Sequence, residues 1–398
     1  MKILQVISQL SDFMGDSGQV LRIAKELQQL GHQVSIVTTD GDPFDSEENS
    51  LRYADTRKIL LENSEKMTEI CGIPVYSLHC TRPSYGMYAP NAKNLAKKIL
   101  EDFDIVHVYS WYHHAGFVFS KTAKELGISF FISMWGTIQP DAHKFHKFKK
   151  TLADIIYTKK IIFAASGLHS IGDSETQEYI KWGCDPKKIH YIDNGVVLDD
   201  FKIKNETDIL KRLNFNSEKN FLLYLGRIHE KKGLELLINS FKKISDSFDD
   251  LQLIISGTGN ADYVIKLKNL SISLGLEKKI IFTGFVSHDE KLELLKNARL
   301  FILTSYSDIH PRAIQEALTM GLPVVFTKVC DYPEIDEYGA GISIDLNVDS
   351  IYDAVCILIQ DEKLLKSCSQ NAQKLIHEKF LLKTQVKKFE KMYLNSLK

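Results

Sequence analysis

Several classes of protein are excluded by what the 398-residue sequence lacks. Its six cysteines are scattered with no C-x-x-C pair, which argues against a zinc site or a disulfide framework and for a reducing compartment. No apolar run approaches the ~18 residues that a membrane span needs. The formal net charge is only -1, so no overall field attracts nucleic acid or anionic lipid. The sequence therefore predicts a cytoplasmic protein with no nucleic-acid partner.

The beginning of the chain also lacks the features of a secretory signal. MKILQVISQLSD has one lysine, a short apolar run and no small-residue cleavage site. What the chain does have is the composition of a globular enzyme, with 44% hydrophobic and 25% charged residues. At roughly 150 residues per domain, this length suggests two domains.

Predicted strands and helices alternate from the first residues onward. KILQVIS and HQVSIVTT are expected to be strands, with the helical pattern VLRIAKELQQLG between them. The same order returns with DIVHVY, GFVFSKTAKELG and ISFFISMW. Such alternation is typical of parallel sheets with right-handed helical crossovers.

The second half of the chain restarts this alternation with FLLYLGR at 221–227 and continues through LQLIISG, KIIFTG and LFILTS. Turn residues in CDPKKIHYIDNGVVLDDF mark a boundary near residue 200. We therefore predict two doubly wound, Rossmann-like α/β domains, 1–200 and 201–380, that face each other across a cleft. The C-terminal helix 381–398 is expected to pack back on the first domain.

Loops that follow the strands of the second domain carry the candidate site, because ligands of such sheets bind at the carboxyl ends of the strands. GRIHEKKG places Arg227 just after a strand and Lys232 at a predicted helix start, where cations are unfavourable unless an anion joins them. A solvated charged loop is the competing interpretation. In SGTGN, Gly257 permits a close backbone approach, although a lone GTG is a weak signal.

The stretch SYSDIHPRAIQEALTMG places Asp308 and Glu316 on either side of a proline. If Pro311 begins the helix, the N–H groups of Arg312, Ala313 and Ile314 form an anion site. Two carboxylates that flank a phosphate site suit a ligand with hydroxyl groups on both sides of a diphosphate. A nucleotide sugar has this layout.

These motifs carry a resemblance to a known family. GRIHEKKGLELLINSF, SGTGN, TGFV and SDIHPRAIQEALTMGLPVV resemble the second domain of the retaining glycosyltransferases of family 4, which have the GT-B fold. The first strand and its glycine loop, LGHQVSIVTT, DIVHVY and GCDPKKIHYIDNGVVLDDF are similar to the first domain and hinge. The motifs occur in the family's order over nearly the whole chain.

The resemblance implies roles for individual residues. Arg227 and Lys232 would bind the donor diphosphate and stabilise the leaving group, and Glu316 would bind the nucleotide ribose. Asp308 takes the place of the first glutamate in the family's E-x7-E motif, which addresses the transferred sugar. The backbone around Val286 would meet the base, and Gly15 would approach the phosphate and the reacting carbon. The family's reaction needs no metal and no cofactor beyond the UDP- or GDP-linked substrate.

The sequence departs from the family pattern in its sugar site. Asp308 replaces a glutamate, and Ile309 and His310 replace the usual glycine and aromatic residue. Trp135, in SMWGT, stands where many members carry a histidine beside the sugar. Either this site is altered, or the backbone carbonyl at Trp135 does the work.

Other motifs have weaker functional interpretations. GDSG at 15–18 imitates a serine-protease nucleophile loop, but it follows the first strand of an α/β chain, so a protease is not predicted. The acid pairs at 40–42 and 102–104 imitate a metal-binding D-x-D and are expected to be structural. His107 and His113 are candidate acceptor ligands, with ordinary hydrogen-bonded histidines as the alternative. The basic segment 141–160 is either a solvated helix face or a peripheral membrane contact.

The sequence thus predicts a metal-independent retaining glycosyltransferase. It would transfer a sugar from a nucleotide sugar to a saccharide or lipid-linked hydroxyl acceptor, in surface polysaccharide or glycolipid biosynthesis. The expected location is the cytoplasm or the inner face of the membrane. Two alternatives stay open, a nucleotide-sugar epimerase of the same fold and a non-catalytic nucleotide-sugar-binding subunit.

Overall fold

A computed structural model of the chain describes residues 1–10, 15–41, 54–83, 86–138, 158–215 and 220–397. The chain divides into two compact units. The N-terminal unit consists of Met1–Asn194 together with Leu382–Lys398, and the C-terminal unit is Gly195–Leu381. Each unit has its own sheet and its own hydrophobic core.

The N-terminal unit is built on a sheet of eight described strands. Their order across the sheet is β3-β4-β2-β1-β5-β6-β7-β8, and all neighbours are parallel except the β3–β4 pair. The strands are β1 (Lys2–Val6), β2 (Gln33–Thr39), β3 (Met67–Ile70), β4 (Ile73–Leu78), β5 (Ile105–Tyr109), β6 (Ser129–Ser133), β7 (Gly167–Ser170) and β8 (Ile189–Tyr191).

Helices cover this sheet because its central strands are apolar on both faces. All five residues of β5 are buried, as are four of the five in β1. Such continuous burial is typical of parallel strands that lie between helical layers. The described helices before the C-terminal unit are α1 (Gly15–Gln29), α2 (Ala54–Glu62), α3 (Ala92–Ile99), α4 (His114–Leu126), α5 (Lys159–Ala164) and α6 (Asp173–Lys181).

The last helix of the chain belongs to the N-terminal unit. This helix, α15 (Leu382–Ser396), buries Val386, Phe389 and Tyr393. Its Glu390 lies 2.9 Å from the His32 ring, just after α1. The sheet of the first unit is therefore partly covered by residues that come almost 400 positions after its first strand.

The C-terminal unit has a six-stranded sheet that is parallel throughout, in the order β11-β10-β9-β12-β13-β14. Its strands are β9 (Asn220–Leu225), β10 (Leu251–Ser256), β11 (Ile280–Gly284), β12 (Leu300–Leu303), β13 (Val324–Thr327) and β14 (Gly341–Ile344). The strand order reverses direction between β9 and β12. Ligands of doubly wound sheets bind at such a switch point.

Helices connect the strands of this second sheet. They are α7 (Ile209–Arg212), α8 (Leu234–Ser247), α9 (Ala261–Ser273), α10 (His288–Asn297), α11 (Arg312–Thr319), α12 (Pro333–Tyr338), α13 (Val348–Gln360) and α14 (Glu362–Lys379). Helix α10 begins with a capping box, in which Ser287 and Glu290 satisfy each other's backbone N–H groups. No helix in the described part of the chain is long and apolar enough to cross a membrane.

Candidate active site

Backbone hydrogen bonds join the loops at the carboxyl ends of β9, β10 and β11. The N–H of Gly226 donates to Ser256 O (3.0 Å), and the N–H of Gly257 donates to Gly284 O (3.0 Å). Because each loop is tied to its neighbour, the rim of the sheet is a fixed surface on which side chains can be positioned.

Gly257 is required by this loop packing. Its φ is +140°, and a Cβ there would lie 1.8 Å from the carbonyl oxygen of Gly226. The close backbone approach that the sequence suggested is therefore made to a neighbouring loop. A contact of Gly257 with a donor phosphate stays a prediction.

Lys232 lies in a short 3-10 turn, Glu230–Lys232, and not at the start of α8 as the sequence suggested. Gly233 follows with φ +62°, and a Cβ there would lie 2.2 Å from Thr304 O. The Thr304 hydroxyl also lies 3.1 Å from the carbonyl oxygen of Lys232, to which it donates. The loop after β9 is thereby held against the loop after β12.

This packing brings together two predicted site residues. The ammonium of Lys232 forms an ion pair with Oδ2 of Asp308, and the same oxygen accepts a hydrogen bond from the Ser305 hydroxyl at 2.9 Å. Both charged side chains are partly accessible, at 18% and 22% exposure. An incoming anion can therefore reach the ammonium without unfolding the loop.

Glu316 is held by a residue that the sequence analysis did not single out. The Lys291 ammonium, on α10, lies 3.0 Å from Oε1 of Glu316 on α11. The two side chains are only 1% and 9% exposed. The structure thus contains two lysine–carboxylate pairs, one partly open and one almost sealed, and Asp308 and Glu316 belong to different pairs.

The helix after Pro311 begins one residue later than predicted. Pro311 has an extended backbone (φ -60°, ψ 122°) and is the N-cap residue, so α11 starts at Arg312. The N–H of Ile314 donates to the Pro311 carbonyl at 3.0 Å, and Ile314 is therefore not a donor for a ligand anion. The predicted anion site therefore loses the N–H group of Ile314.

His310 does not offer its side chain to a sugar. The residue is 1% exposed, its ring lies 4.1 Å from the ring of Tyr332, and burial lowers the pKa of the imidazole to about 4. The imidazole of His310 is therefore neutral near pH 7 and lies in the interior of the C-terminal unit. Any part of His310 in donor binding has to come from its backbone, which is held with φ +45°.

Arg227 and Val286 each lie two residues after the end of a strand, β9 and β11 respectively. The Arg227 side chain is exposed, and its carbonyl accepts a hydrogen bond from the Tyr224 hydroxyl at 2.8 Å, which fixes the backbone. Val286 is 8% exposed, so its side chain belongs to the core and its backbone is what remains for a ligand. Both positions lie at the same carboxyl edge as Lys232.

His107 is a core residue and not an acceptor ligand. It is 0% exposed, and both ring nitrogens are engaged, Nδ1 with the Tyr393 hydroxyl (2.6 Å) and Nε2 with the Ser133 hydroxyl (2.7 Å). Ser133 is also 2.6 Å from Nδ1 of His169, whose Nε2 lies 2.7 Å from Ile192 O. Burial lowers the pKa of both histidines, to about 4 for His169.

The carbonyl oxygen of Ile192, at the end of this hydrogen-bonded group, determines the direction of every hydrogen bond in it. A carbonyl only accepts, so Nε2 of neutral His169 carries the proton and Nδ1 accepts from Ser133. Ser133 then accepts from Nε2 of His107, and Nδ1 of His107 accepts from Tyr393. Hydrogen bonds thus link Tyr393, His107, Ser133 and His169 in series, and we call these four side chains the buried chain. It explains His107 completely as a structural residue.

His113 has a structural explanation as well. It is the N-cap of α4, where Nδ1 accepts from the N–H of Gly116 (3.1 Å) and Nε2 donates to Tyr109 O (3.0 Å). Burial lowers its pKa to about 4. Neither predicted acceptor histidine therefore has a ring nitrogen available for a substrate.

Trp135 differs from these histidines because its polar atom has no hydrogen-bond partner among the described residues. It follows β6 with φ +47°, is 9% exposed and packs against Tyr109, with ring centroids 4.9 Å apart. Within the described residues, its buried indole N–H makes no hydrogen bond. Strained backbone and an unsatisfied donor are features that cluster at functional sites.

Two further sequence predictions concern the edge of the described regions. Gly15 is the first residue of α1, and the loop residues 11–14 before it lie outside the described residues. Most of the basic segment 141–160 also lies outside them. Among the residues that are described, no group of three histidine, cysteine or acidic side chains is placed to hold a metal ion. Metal independence stays a prediction.

Comparison with solved structures defines the fold class. The Anabaena protein HepE, solved in complex with UDP and glucose, superposes with a TM-score of 0.77 at 19% identity over 99% of this chain and 100% of that one. Two Rossmann-like units of this kind are the GT-B fold of glycosyltransferases.

Two family models cover most of the sequence. The model described as Glycosyltransferase Family 4 matches residues 17–200, and the model described as Glycosyl transferases group 1 matches residues 205–375. The chain belongs to glycosyltransferase family 4.

Individual relatives are distant. N-acetyl-alpha-D-glucosaminyl L-malate synthase of Bacillus anthracis is 22% identical over 404 residues, which cover 97% of this chain and 95% of the relative. An uncharacterized glycosyltransferase of Methanocaldococcus jannaschii is 29% identical, but over only 48% of this chain and half of its own length. Neither identity is high enough to assign the relative's substrate to this protein.

Proposed function

We propose that the protein is a retaining glycosyltransferase that moves a sugar from a UDP- or GDP-linked donor to a hydroxyl acceptor, without a metal ion. The observation that carries the proposal is the cluster at the carboxyl edge of the second sheet, where Lys232 meets Asp308 and Arg227 stands on the same loop as Lys232. Basic side chains that converge at this edge fit a diphosphate.

Lys232 would change partners when the donor binds. In the structure its ammonium is paired with Asp308. A diphosphate with two negative charges competes for that ammonium, and Arg227 adds a second, bidentate contact. The charge that develops on the leaving diphosphate is stabilised by groups that are already in place, which is the largest catalytic term in many enzymes.

The bond changes follow from retention of the anomeric configuration. The bond between the anomeric carbon and the diphosphate oxygen breaks, and the acceptor oxygen bonds to the same carbon from the same face. The acceptor proton passes to the departing phosphate oxygen, so no further base is needed. Asp308 would hold the sugar through Oδ1, since its hydrogen-bond and ion-pair contacts with described residues are made through Oδ2. Glu316 would hold the ribose.

The acceptor would be a saccharide or a lipid-linked hydroxyl compound in surface polysaccharide or glycolipid biosynthesis. Family membership and the basic composition of 141–160 support this acceptor class. The same segment would provide a peripheral membrane contact at the inner face of the membrane. The indole N–H of Trp135 makes no hydrogen bond to a described residue, which supports a contact with a sugar hydroxyl on the N-terminal unit.

One assay separates this function from its two alternatives. Nucleotide release is measured from UDP-, GDP- and ADP-sugars with and without saccharide and lipid-linked acceptors, next to calorimetric binding of each donor. Acceptor-dependent release with retained configuration supports the proposal. Isomerised donor without acceptor would identify an epimerase, and tight binding without turnover on any acceptor would identify a binding subunit.

A further inference from the structure

The most unusual charged group in the C-terminal unit is the ammonium of Lys291. Its residue is 1% exposed, in a helix whose neighbouring buried positions are the leucines Leu292, Leu294 and Leu295. The ammonium lies 3.0 Å from Oε1 of Glu316, which is 7% exposed as a residue. The pair is sealed at the lysine end and reaches the surface only through the carboxylate.

Stability does not account for this pair. Removing two charges from water costs several kcal/mol for each ion, and the attraction between them does little more than offset that cost. Well-packed apolar residues of similar volume are often as stable or more stable in such a place. The pair therefore calls for an explanation in terms of what its open end does.

The more exposed end of the pair is the Glu316 side chain, at 9% against 1% for Lys291. Within the described residues, Lys291 is the only hydrogen-bonding or ion-pair partner of the Glu316 side chain, and it contacts Oε1. Because that oxygen is held, the carboxylate has one orientation, and Oε2 is left to accept a hydrogen bond from a ligand hydroxyl.

A histidine on the same helix as Lys291 does not compete for this carboxylate. His288, in the first turn of α10, donates its Nε2–H to Asp200 O at 2.7 Å. Burial lowers the pKa of His288, with the Lys291 charge acting in the same direction, so the ring is neutral near pH 7. Lys291 is thus the cation that orients Glu316.

We propose that Lys291 is a positioning residue for donor recognition: it fixes Glu316 so that Oε2 accepts a hydrogen bond from a ribose hydroxyl of the donor nucleotide. The inference rests on the proposed function. It adds a residue that no substrate atom touches but on which the selection of a ribonucleotide depends.

The test measures how strongly binding depends on the ribose hydroxyls. UDP, GDP and ADP, each with its 2′,3′-dideoxy counterpart, are titrated calorimetrically into the full-length protein. In the wild type, the ribonucleotide that binds should do so about tenfold or more tightly than its dideoxy form, because a charged acceptor makes a strong hydrogen bond. In Lys291→Met that ratio should fall close to one, with the dideoxy affinity unchanged.

Two further variants separate orientation from folding. Lys291→Met with Glu316→Leu replaces the whole pair by apolar residues, so it should fold and should also lose the ribose preference. Lys279→Met is the matched control, since Lys279 also pairs with a carboxylate, that of Asp249 (3.2 Å). Lys279 directly precedes β11, so it lies at the end of this strand that is opposite to the candidate site. It should keep the full ribose preference.

The outcomes are distinct. A Lys291→Met protein that melts at a lower temperature but keeps the tenfold ribose preference would show that the lysine is only structural, and the inference would be overturned. A wild-type protein that binds none of the three ribonucleotides would overturn the proposed function itself. Loss of the ribose preference in Lys291→Met and its retention in Lys279→Met supports both.

Discussion

A neutral group of buried side chains in the N-terminal unit contrasts with two charged pairs in the C-terminal unit. In the N-terminal unit, the buried chain is neutral, and each of its ring nitrogens meets a protein partner. In the C-terminal unit, the pairs Lys232–Asp308 and Lys291–Glu316 are charged. In each pair the lysine ammonium contacts one oxygen of the carboxylate, Oδ2 of Asp308 or Oε1 of Glu316. The first arrangement is complete without a ligand.

This difference separates structural polar groups from functional ones. A closed neutral chain fixes the position of α15 on the sheet and has nothing left to offer a substrate. A charged pair with a spare oxygen keeps the capacity to bind.

Mild acid should destabilise the N-terminal unit strongly. His107, His113 and His169 are neutral in the fold because burial lowers the pKa of each, whereas an unfolded histidine titrates near 6.5. The stability that these neutral imidazoles contribute is fully present above pH 6.5. It is lost as the pH falls toward the pKa values that the three histidines have in the folded protein. Between pH 7.5 and 5.5, each should cost about 1.4 kcal/mol of unfolding free energy.

The measurement is denaturant unfolding followed by tryptophan fluorescence. All three tryptophans, Trp111, Trp135 and Trp182, lie in the N-terminal unit, so the signal reports on that unit alone. An unfolding free energy that is unchanged between the two pH values would contradict the neutral, closed chain.

Lys232→Ala should reduce turnover far more than it weakens donor binding. Its ammonium would act on the charge of the leaving diphosphate, and removing one such group costs about 100-fold to 1,000-fold in kcat. Steady-state kinetics and donor calorimetry provide the comparison, with Lys243→Ala as the control, since Lys243 pairs with Asp349 on the helical face. Equal losses in turnover and in binding would argue against a role in the transition state.

Tyr393→Phe should destabilise the N-terminal unit and leave nucleotide binding intact. The change leaves Nδ1 of His107 without its donor at a fully buried position, which costs about 1–3 kcal/mol. Tyr191→Phe, on a tyrosine that is 42% exposed, should cost much less. A changed nucleotide affinity in Tyr393→Phe would mean that the buried chain is not purely structural.

Asp308→Asn and Glu316→Gln should change nucleoside diphosphate binding in opposite directions. Without the Asp308 charge, Lys232 is freed for the diphosphate, and binding should tighten several-fold, or by about 1 kcal/mol. Glu316→Gln removes the charged acceptor for the ribose and should weaken binding. The two affinities are measured by calorimetry. Equal weakening of binding by both changes would contradict the assignment of Lys232 to the diphosphate and of Glu316 to the ribose.

The sequence predicts the order and type of the main strands and helices because their signals are local. Buried parallel strands are short apolar runs, and the helices between them have clear periodicity. The loops that carry Arg227, Lys232 and Asp308 could be named for the same reason, since each follows a strand.

The contacts of the site could not be predicted, because they depend on packing between distant segments. Lys232 meets Asp308 because β9 and β12 are neighbours in the sheet, and sequence order does not give that adjacency. His107 is covered by Tyr393, 286 positions further on, so its burial has no local signal. For Lys291 a signal did exist, because the residue falls at helical spacing on the face of Leu294 and Leu295, where a charge is unexpected.

A structure of the protein bound to the nucleoside diphosphate of its donor tests the central claim most directly. We expect the terminal phosphate within hydrogen-bond distance of the Lys232 ammonium, a ribose hydroxyl on Oε2 of Glu316, and Lys291 still on Oε1. A nucleotide that is bound away from both Lys232 and Glu316 would contradict the assignment of this edge of the second sheet as the donor site.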